Sequence, residues 1–237
     1  MTSAYIFSGF VVGAIVGVTG VGGGSLMTPL LMLLFGVHPA TAVGTDLLYA
    51  AITKMGGTTV HARKGHVDWK ITGRLAAGSI PATILTLSAL SYFGLPEKHL
   101  SVVISSVLGV ALLLTAVALI FKQRIQAFAL SHHSDHWRTR WLGPVTVATG
   151  ALLGVLVSLS SVGAGAIGVA VLFFLYPQLS AIRIVGSDLA HAVPLTLVAG
   201  IGHWMMGSVD WSLLGSLLIG SLPGIYLGSH LAARMPE

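Results

Sequence analysis

Cysteine is absent from this chain, which removes disulfide staples, thiolate nucleophiles and thiolate metal ligands together and leaves little room for redox chemistry. Charge is scarce as well. Lys, Arg, Asp and Glu make up 8% of the 237 residues, hydrophobic residues make up 54%, and the mean hydropathy is +0.90. A soluble domain of this composition would be coated in apolar side chains, so lipid is the expected solvent and a separate water-exposed domain is excluded. No Gly-x-x-x-x-Gly-Lys-Ser/Thr loop occurs, which argues against direct ATP drive by this chain. No cofactor-binding pattern is found, and none is expected. The isoelectric point near 9.8 does not point to nucleic acid, because the basic residues sit in short loops between apolar runs and form no arm or stripe. The start, Met1 to Tyr5, has no basic segment and no small-residue cleavage site after the first apolar run, so it reads as a retained membrane segment.

What is present is a series of apolar runs. They predict helices near 5–20, 25–36, 40–60, 70–93, 98–121, 142–160, 165–176, 181–206 and 211–232, an all-α polytopic membrane bundle. The runs at 25–36 and 165–176 are too short to span and follow glycine-rich breaks, Gly22-Gly23-Gly24 and Gly163-Ala164-Gly165. Two re-entrant or broken helical hairpins are therefore expected. Arg63, Lys64, Lys70, Arg74, Lys122, Arg124, Arg138, Arg140, Arg183 and Arg234 flank one set of loops, and Lys98 alone flanks the other set. The positive-inside rule then puts the N-terminus outside and the C-terminus in the cytoplasm.

The chain also repeats itself. At an offset of 142 residues, Gly65-His66-Val67-Asp68-Trp69 matches Gly207-Ser208-Val209-Asp210-Trp211, and Val43-Gly44-Thr45-Asp46-Leu47 matches Val185-Gly186-Ser187-Asp188-Leu189. His61 falls on His203, and Gly78-Ser79-Ile80-Pro81 falls on Gly220-Ser221-Leu222-Pro223. One residue earlier in offset, the two glycine-rich breaks also superpose. The loop at 61–70 is basic and its copy at 203–211 has no Lys or Arg, which places the copies on opposite sides of the membrane and makes the repeats inverted. The organisation expected is a first repeat at 1–93, a linking transmembrane helix and cytoplasmic loop at 94–141, and a second, inverted repeat at 142–237.

Helices that begin after a glycine-rich turn present unpaired N–H groups and a partial positive charge, so Gly22, Gly23, Gly24, Ser25, Gly163, Ala164 and Gly165 are candidate anion ligands. Close helix packing is the plainer role for such glycines, but two clusters at equivalent repeat positions favour a lined cavity. Thr45, Ser187, Ser160 and Ser161 add hydroxyls near the same places. Asp46 and Asp188 lie inside apolar helices, where an ionised carboxylate costs roughly 2.5–3.5 kcal/mol unless it is paired, hydrated or protonated. Lys54 follows Asp46 by eight residues on nearly the same face, two turns away, and His191 follows Asp188 by three, within side-chain reach. These four are candidates for charge balance or proton coupling, against the alternative of a structural polar network. His61 and His203 fall at helix ends, where an interfacial hydrogen bond is the plainer role, and His132-His133-Ser134-Asp135-His136 reads as a solvated linker. Trp69 and Trp211 read as interfacial anchors.

Gly20-Val21-Gly22-Gly23-Gly24, Pro29-Leu30-Leu31, Ala42-Val43-Gly44-Thr45 and Gly65-His66-Val67-Asp68-Trp69 together resemble the TauE/SafE family of sulfite and organosulfur exporters, the toluene sulfonate uptake permeases, over nearly the whole chain. The resemblance implies a bacterial or archaeal inner-membrane permease, not an enzyme, with two similar halves and a sulfite, thiosulfate or sulfonate cargo. Asp46 and Asp188 stand where many members of that family are expected to carry a small hydroxyl residue. That departure points to proton coupling or to a different cargo. The leading expectation is a secondary transporter of a small anion, with the bilayer and that anion as its partners and a homodimer as a candidate assembly. Alternatives are a cation or metal carrier built on the intramembrane Asp and His residues and, remotely, an intramembrane serine hydrolase, for which no Gly-x-Ser-x-Gly elbow is present.

Overall fold

The computed structural model describes residues 2–19, 24–94, 96–121, 124 and 135–232. In hydrocarbon every backbone N–H and C=O must be bonded within the chain, and a helix achieves this segment by segment. Among the described residues the protein is accordingly all helix: α1 (Thr2–Thr19), α2 (Gly24–Phe35), α3 (Pro39–Arg63), α4 (Trp69–Phe93), α5 (Glu97–Ile120), α6 (Asp135–Ser160), α7 (Ile167–Leu175), α8 (Ala181–Met205) and α9 (Trp211–Ala232). The predicted boundaries agree to within about three residues except at α6, which begins seven residues earlier, at Asp135. Hydropathy cannot detect those residues because Asp135 to Arg140 are polar apart from Trp137.

Five of these helices are long and apolar enough to cross a membrane, and α4, α5 and α9 turn Leu85, Phe93, Leu113, Ile120, Ile219 and other large apolar side chains outward. The protein is a multi-pass membrane protein. Helix α3 is as long as α4 but carries Asp46 and Lys54, and it hides them by being enclosed: every residue from Ala42 to Ala51 is buried.

The two short helices form hairpins with the helices before them. Tyr5, near the start of α1, stacks edge-on against Phe35 at the end of α2, with ring centroids 4.8 Å apart. The Thr146 hydroxyl, near the start of the apolar part of α6, meets the Tyr176 hydroxyl just after α7 at 2.8 Å. Each hairpin thus returns to the side it started from. At 1.5 Å per residue α2 rises about 18 Å and α7 about 14 Å, short of the roughly 30 Å hydrocarbon thickness.

Glycines set the helix directions and seams. A Cβ at Gly9 or Gly13 would strike the backbone of Leu217 or Ser221, so α1 runs parallel to α9 in close contact. A Cβ at Gly150 or Gly154 would strike Leu75 or Ser79, so α6 runs parallel to α4 in the same way. Between α3 and α8 the order is reversed: Gly44 abuts Ser208, Gly200 abuts Leu48, and Gly186 abuts His66, so these two run antiparallel. Helix α5 packs on α3, α6 and α7 and contributes Ile104 to the central apolar cluster with Val43, Leu47, Val157 and Leu195.

The repeated Gly-x-Val-Asp-Trp segment is turn chemistry. Gly65 and Gly207 take φ of 71° and 73°, a left-handed conformation that closes the preceding helix. Asp68 then accepts from the Lys70 and Ile71 N–H groups to cap α4, and Asp210 accepts from the Leu213 N–H in the first turn of α9. Trp69 and Trp211, the first residues of α4 and α9, are exposed.

Candidate functional site

The non-helical tip of the second hairpin, residues 161–166, lies between the two central helices, with α3 on one side and α8 on the other. Its backbone is built from unusual conformations: Gly163 and Gly165 have φ of 128° and 126°, and Ser161 has φ of 59°. A serine in the left-handed region stores local strain, of order 1–2 kcal/mol, that the surrounding structure must offset.

From α3, Lys54 reaches the tip and its Nζ donates to the Ala164 carbonyl at 3.1 Å. Only 5% of Lys54 is exposed. Asp46, two turns earlier and fully buried, accepts the Thr28 hydroxyl of α2 at Oδ2, while its Oδ1 has no partner. The Ser161 hydroxyl faces Asp46 without closing a hydrogen bond of ordinary geometry. From α8, Asp188 points its carboxylate at the start of α7. The Gly165 N–H faces it, and Oδ1 rests on Gly168 so closely that a Cβ there would overlap the oxygen. Lys54 acts electrostatically on both carboxylates, yet no ion pair within 4.0 Å forms between it and either one. With all three ionised the centre carries one net negative charge.

His191 is on the same face of α8 as Asp188, but it is not bonded to it. Its Nε2 pairs with the Ser79 hydroxyl of α4 at 2.8 Å, because α4 packs across that face. The partnership expected between Asp188 and His191 is therefore replaced by a tie between helices. Tyr49, at the equivalent position of α3, turns its hydroxyl toward Ser221 of α9 without closing a hydrogen bond of ordinary geometry. Ser79 and Thr28 were missed in the sequence. Ser79 was within reach, since the repeated Gly-Ser-x-Pro motif and the 142-residue offset relate the pairs 191/79 and 49/221. Thr28 has no such signal.

Three hydroxyls expected to line the cargo site are committed elsewhere. Thr45 accepts from the Asp210 N–H at 3.1 Å, and Ser187 accepts from the Asp68 N–H at 2.8 Å while donating to the Arg183 carbonyl. Ser160 donates to the Leu156 carbonyl and accepts from the Val162 N–H. The first two pin the capped turns before α9 and α4 to the central helices, and the third shapes the tip. Gly22 and Gly23 lie outside the described residues; Gly24 opens α2, and the Ser25 side chain lies outside them too. Of the predicted residues, the tip brings together Ser161, Gly163, Ala164 and Gly165 with Asp46, Lys54 and Asp188. His203 donates from Nε2 to the Ser158 carbonyl at 2.8 Å, a buried contact at a helix end, and His61 lies 5.9 Å from the His66 ring between centroids. His132, His133 and Ser134 lie outside the described residues.

Among known proteins, the family described as Sulfite exporter TauE/SafE matches residues 5–237. The chain is 38% identical over 237 residues to the Probable membrane transporter protein YjnA of Bacillus subtilis, covering 99% of this chain and 91% of that one. It is 31% identical to the Probable membrane transporter protein YdhB of the same organism, over 96% and 89% of the two chains. It is 28% identical to the Probable membrane transporter protein MJ0441 of Methanocaldococcus jannaschii, over 86% and 73%. No solved structure matches the chain.

Proposed function

From the premise that this chain belongs to the Sulfite exporter TauE/SafE family of membrane transporters, we propose that it is a secondary transporter of a small anion, with sulfite, thiosulfate or an organosulfonate as the cargo class. The observation that carries this reading is Lys54. A buried ammonium, bonded to one carbonyl of an interrupted helix, is a fixed positive group beside backbone N–H groups that have no helical partner. The cargo's oxygens would take the Lys54 ammonium, the free Ser161 hydroxyl and the N–H groups of the 163–166 segment. One proton on the carboxylate pair would offset the net charge of Asp46, Asp188 and Lys54, which makes a proton the candidate coupling ion.

Access would alternate by motion of one half, 1–93, against the other, 142–237, related as inverted copies. Support comes from contacts that recur with the halves exchanged: α1 on α9 matches α6 on α4, and Asp68 on Ser187 matches Asp210 on Thr45. Equivalent helices α3 and α8 run antiparallel, as an axis lying in the membrane plane requires. The loop at 64–68 and the one at 206–210 then fall on opposite sides, with the N-terminus outside and the C-terminus in the cytoplasm. The metal-carrier alternative is weaker, since Lys54 stands where a cation would have to sit and, among the described residues, no three His, Asp or Glu side chains converge.

Purified protein in liposomes should take up labelled sulfite, thiosulfate or ethanesulfonate, and Lys54→Gln should lower that flux at least tenfold while the protein still folds. Flux of none of these anions, or full flux through Lys54→Gln, would overturn the proposal.

A further inference from the structure

The start of α7 already holds a carboxyl group, and it belongs to the protein. Helix α7 opens at Ile167, after the two left-handed glycines; the Gly168 N–H returns to the Gly163 carbonyl at 3.1 Å, but the other opening N–H groups have no carbonyl a full turn back within the helix, and its N-terminal end is partially positive. The Asp188 carboxylate fills that position, facing the Gly165 N–H and resting on Gly168, where no side chain intervenes. It fills it imperfectly. Asp188 is 1% exposed and its Oδ1 has no hydrogen-bond partner, and the Ser161 hydroxyl of the same tip is equally buried and unpartnered. An ionised buried oxygen without a donor is expensive to maintain. The tip therefore holds buried polar groups whose hydrogen-bonding capacity is unmet.

We infer that Asp188 is an internal anion occupying the cargo's own position at the start of α7, and that the cargo's acidic group enters when Asp188 takes up a proton and leaves the helix end. This deepens the anion reading above and rests on it. A neutral carboxylic acid loses its attraction to the helix end and to Lys54, while the cargo's negative charge replaces it there, so one proton accompanies each anion bound. Lys54 of α3 remains bonded to the Ala164 carbonyl and acts on both occupants. The titratable and charged groups facing Asp188 from its neighbours are few. From α3, Lys54 faces it and Asp46 shares that lysine; His61 of α3, His66 and Asp68 of the turn before α4, and Arg183 beside Asp68 lie against Gly186 and Ser187 of α8, and His191 of α8 turns to Ser79. The described parts of α5, α6 and α7 packed nearby place none against it.

The test uses ethanesulfonate, which stays ionised across the working range, so that any pH dependence belongs to the protein. Binding to the full chain in detergent is measured by titration calorimetry from pH 5 to 8. For the unaltered protein the apparent Kd should rise as pH rises, by up to about tenfold per pH unit through the coupled region, as expected for one linked proton. Asp188→Asn, and independently Asp188→Ser in case the amide disturbs folding, should bind at every pH as tightly as the unaltered protein does at pH 5. A pH-independent Kd in the unaltered protein, or an unchanged pH slope in both variants, overturns this inference and leaves the anion reading standing. Absence of binding by the unaltered protein to ethanesulfonate, thiosulfate and sulfite alike overturns both.

Discussion

Replacing glycine by alanine at equivalent places in the two glycine seams tests the architecture on which the transport reading stands. At Gly13 of α1 an added Cβ would lie 2.8 Å from the Ser221 Cα, and at Gly154 of α6 it would lie 3.0 Å from the Ser79 Cα. Ordinary carbon contacts lie near 3.5–4.0 Å, so each helix pair must part by roughly 0.5–1 Å, because the obstacle is backbone and cannot rotate away. A gap of that size forfeits about a quarter to a half of each dispersion contact along the seam, and overpacking of this kind costs about 1–3 kcal/mol. The control is Gly109 of α5, which faces open space. There alanine should stabilise by about 0.5–1 kcal/mol, since mid-helix glycine loses more backbone entropy on folding. Unfolding free energies from titration of mixed micelles with sodium dodecyl sulfate, followed by helical circular dichroism, give the comparison. Gly13→Ala and Gly154→Ala should be destabilised by amounts equal to within about 1 kcal/mol, with Gly109→Ala of opposite sign. If either seam variant proves neutral, or Gly109→Ala is as damaging as they are, the reasoning about the seams is wrong.

Sidedness can be read with single cysteines, since the chain has none of its own. A membrane-impermeant maleimide added outside intact cells should label Ser208→Cys and not Lys64→Cys, and inverted vesicles should give the reverse; labelling of both from one side refutes the inverted arrangement. The pairing of Ser79 with His191 predicts a coupling energy of about 1 kcal/mol in a double-mutant cycle of Ser79→Ala and His191→Ala, read from the same micelle titrations, and additive losses would show that the contact contributes nothing.

Much of the helical plan was legible in the sequence because the physics behind it is local. A run of apolar residues must become a helix in hydrocarbon, and its length sets whether it spans or turns back. The two short runs after glycine-rich breaks are the hairpin helices α2 and α7. The repeat marked a set of buried polar residues but not their partners. Asp46 and Asp188 were identified by the cost of burying a carboxylate, and they are indeed buried around the hairpin tip together with Lys54. Thr45 and Ser187 sit one residue before them with the same residue chemistry, yet their hydroxyls face the other way and secure the capped turns of the opposite half. One residue along a helix is a rotation of about 100°, and only the position of the neighbouring helices decides which face meets which partner.

Composition and hydropathy by themselves determined that this chain lives in lipid, that it is helical throughout its membrane runs, and where those runs break, since each follows from solvation of short segments. Tertiary structure alone decided that Lys54 meets the Ala164 carbonyl 110 residues away, that Asp188 takes the start of α7, and that His191 turns to Ser79. Those pairings depend on how close two helix axes approach and how each is rotated, quantities set by the glycine seams acting together and carried by no single stretch of the sequence.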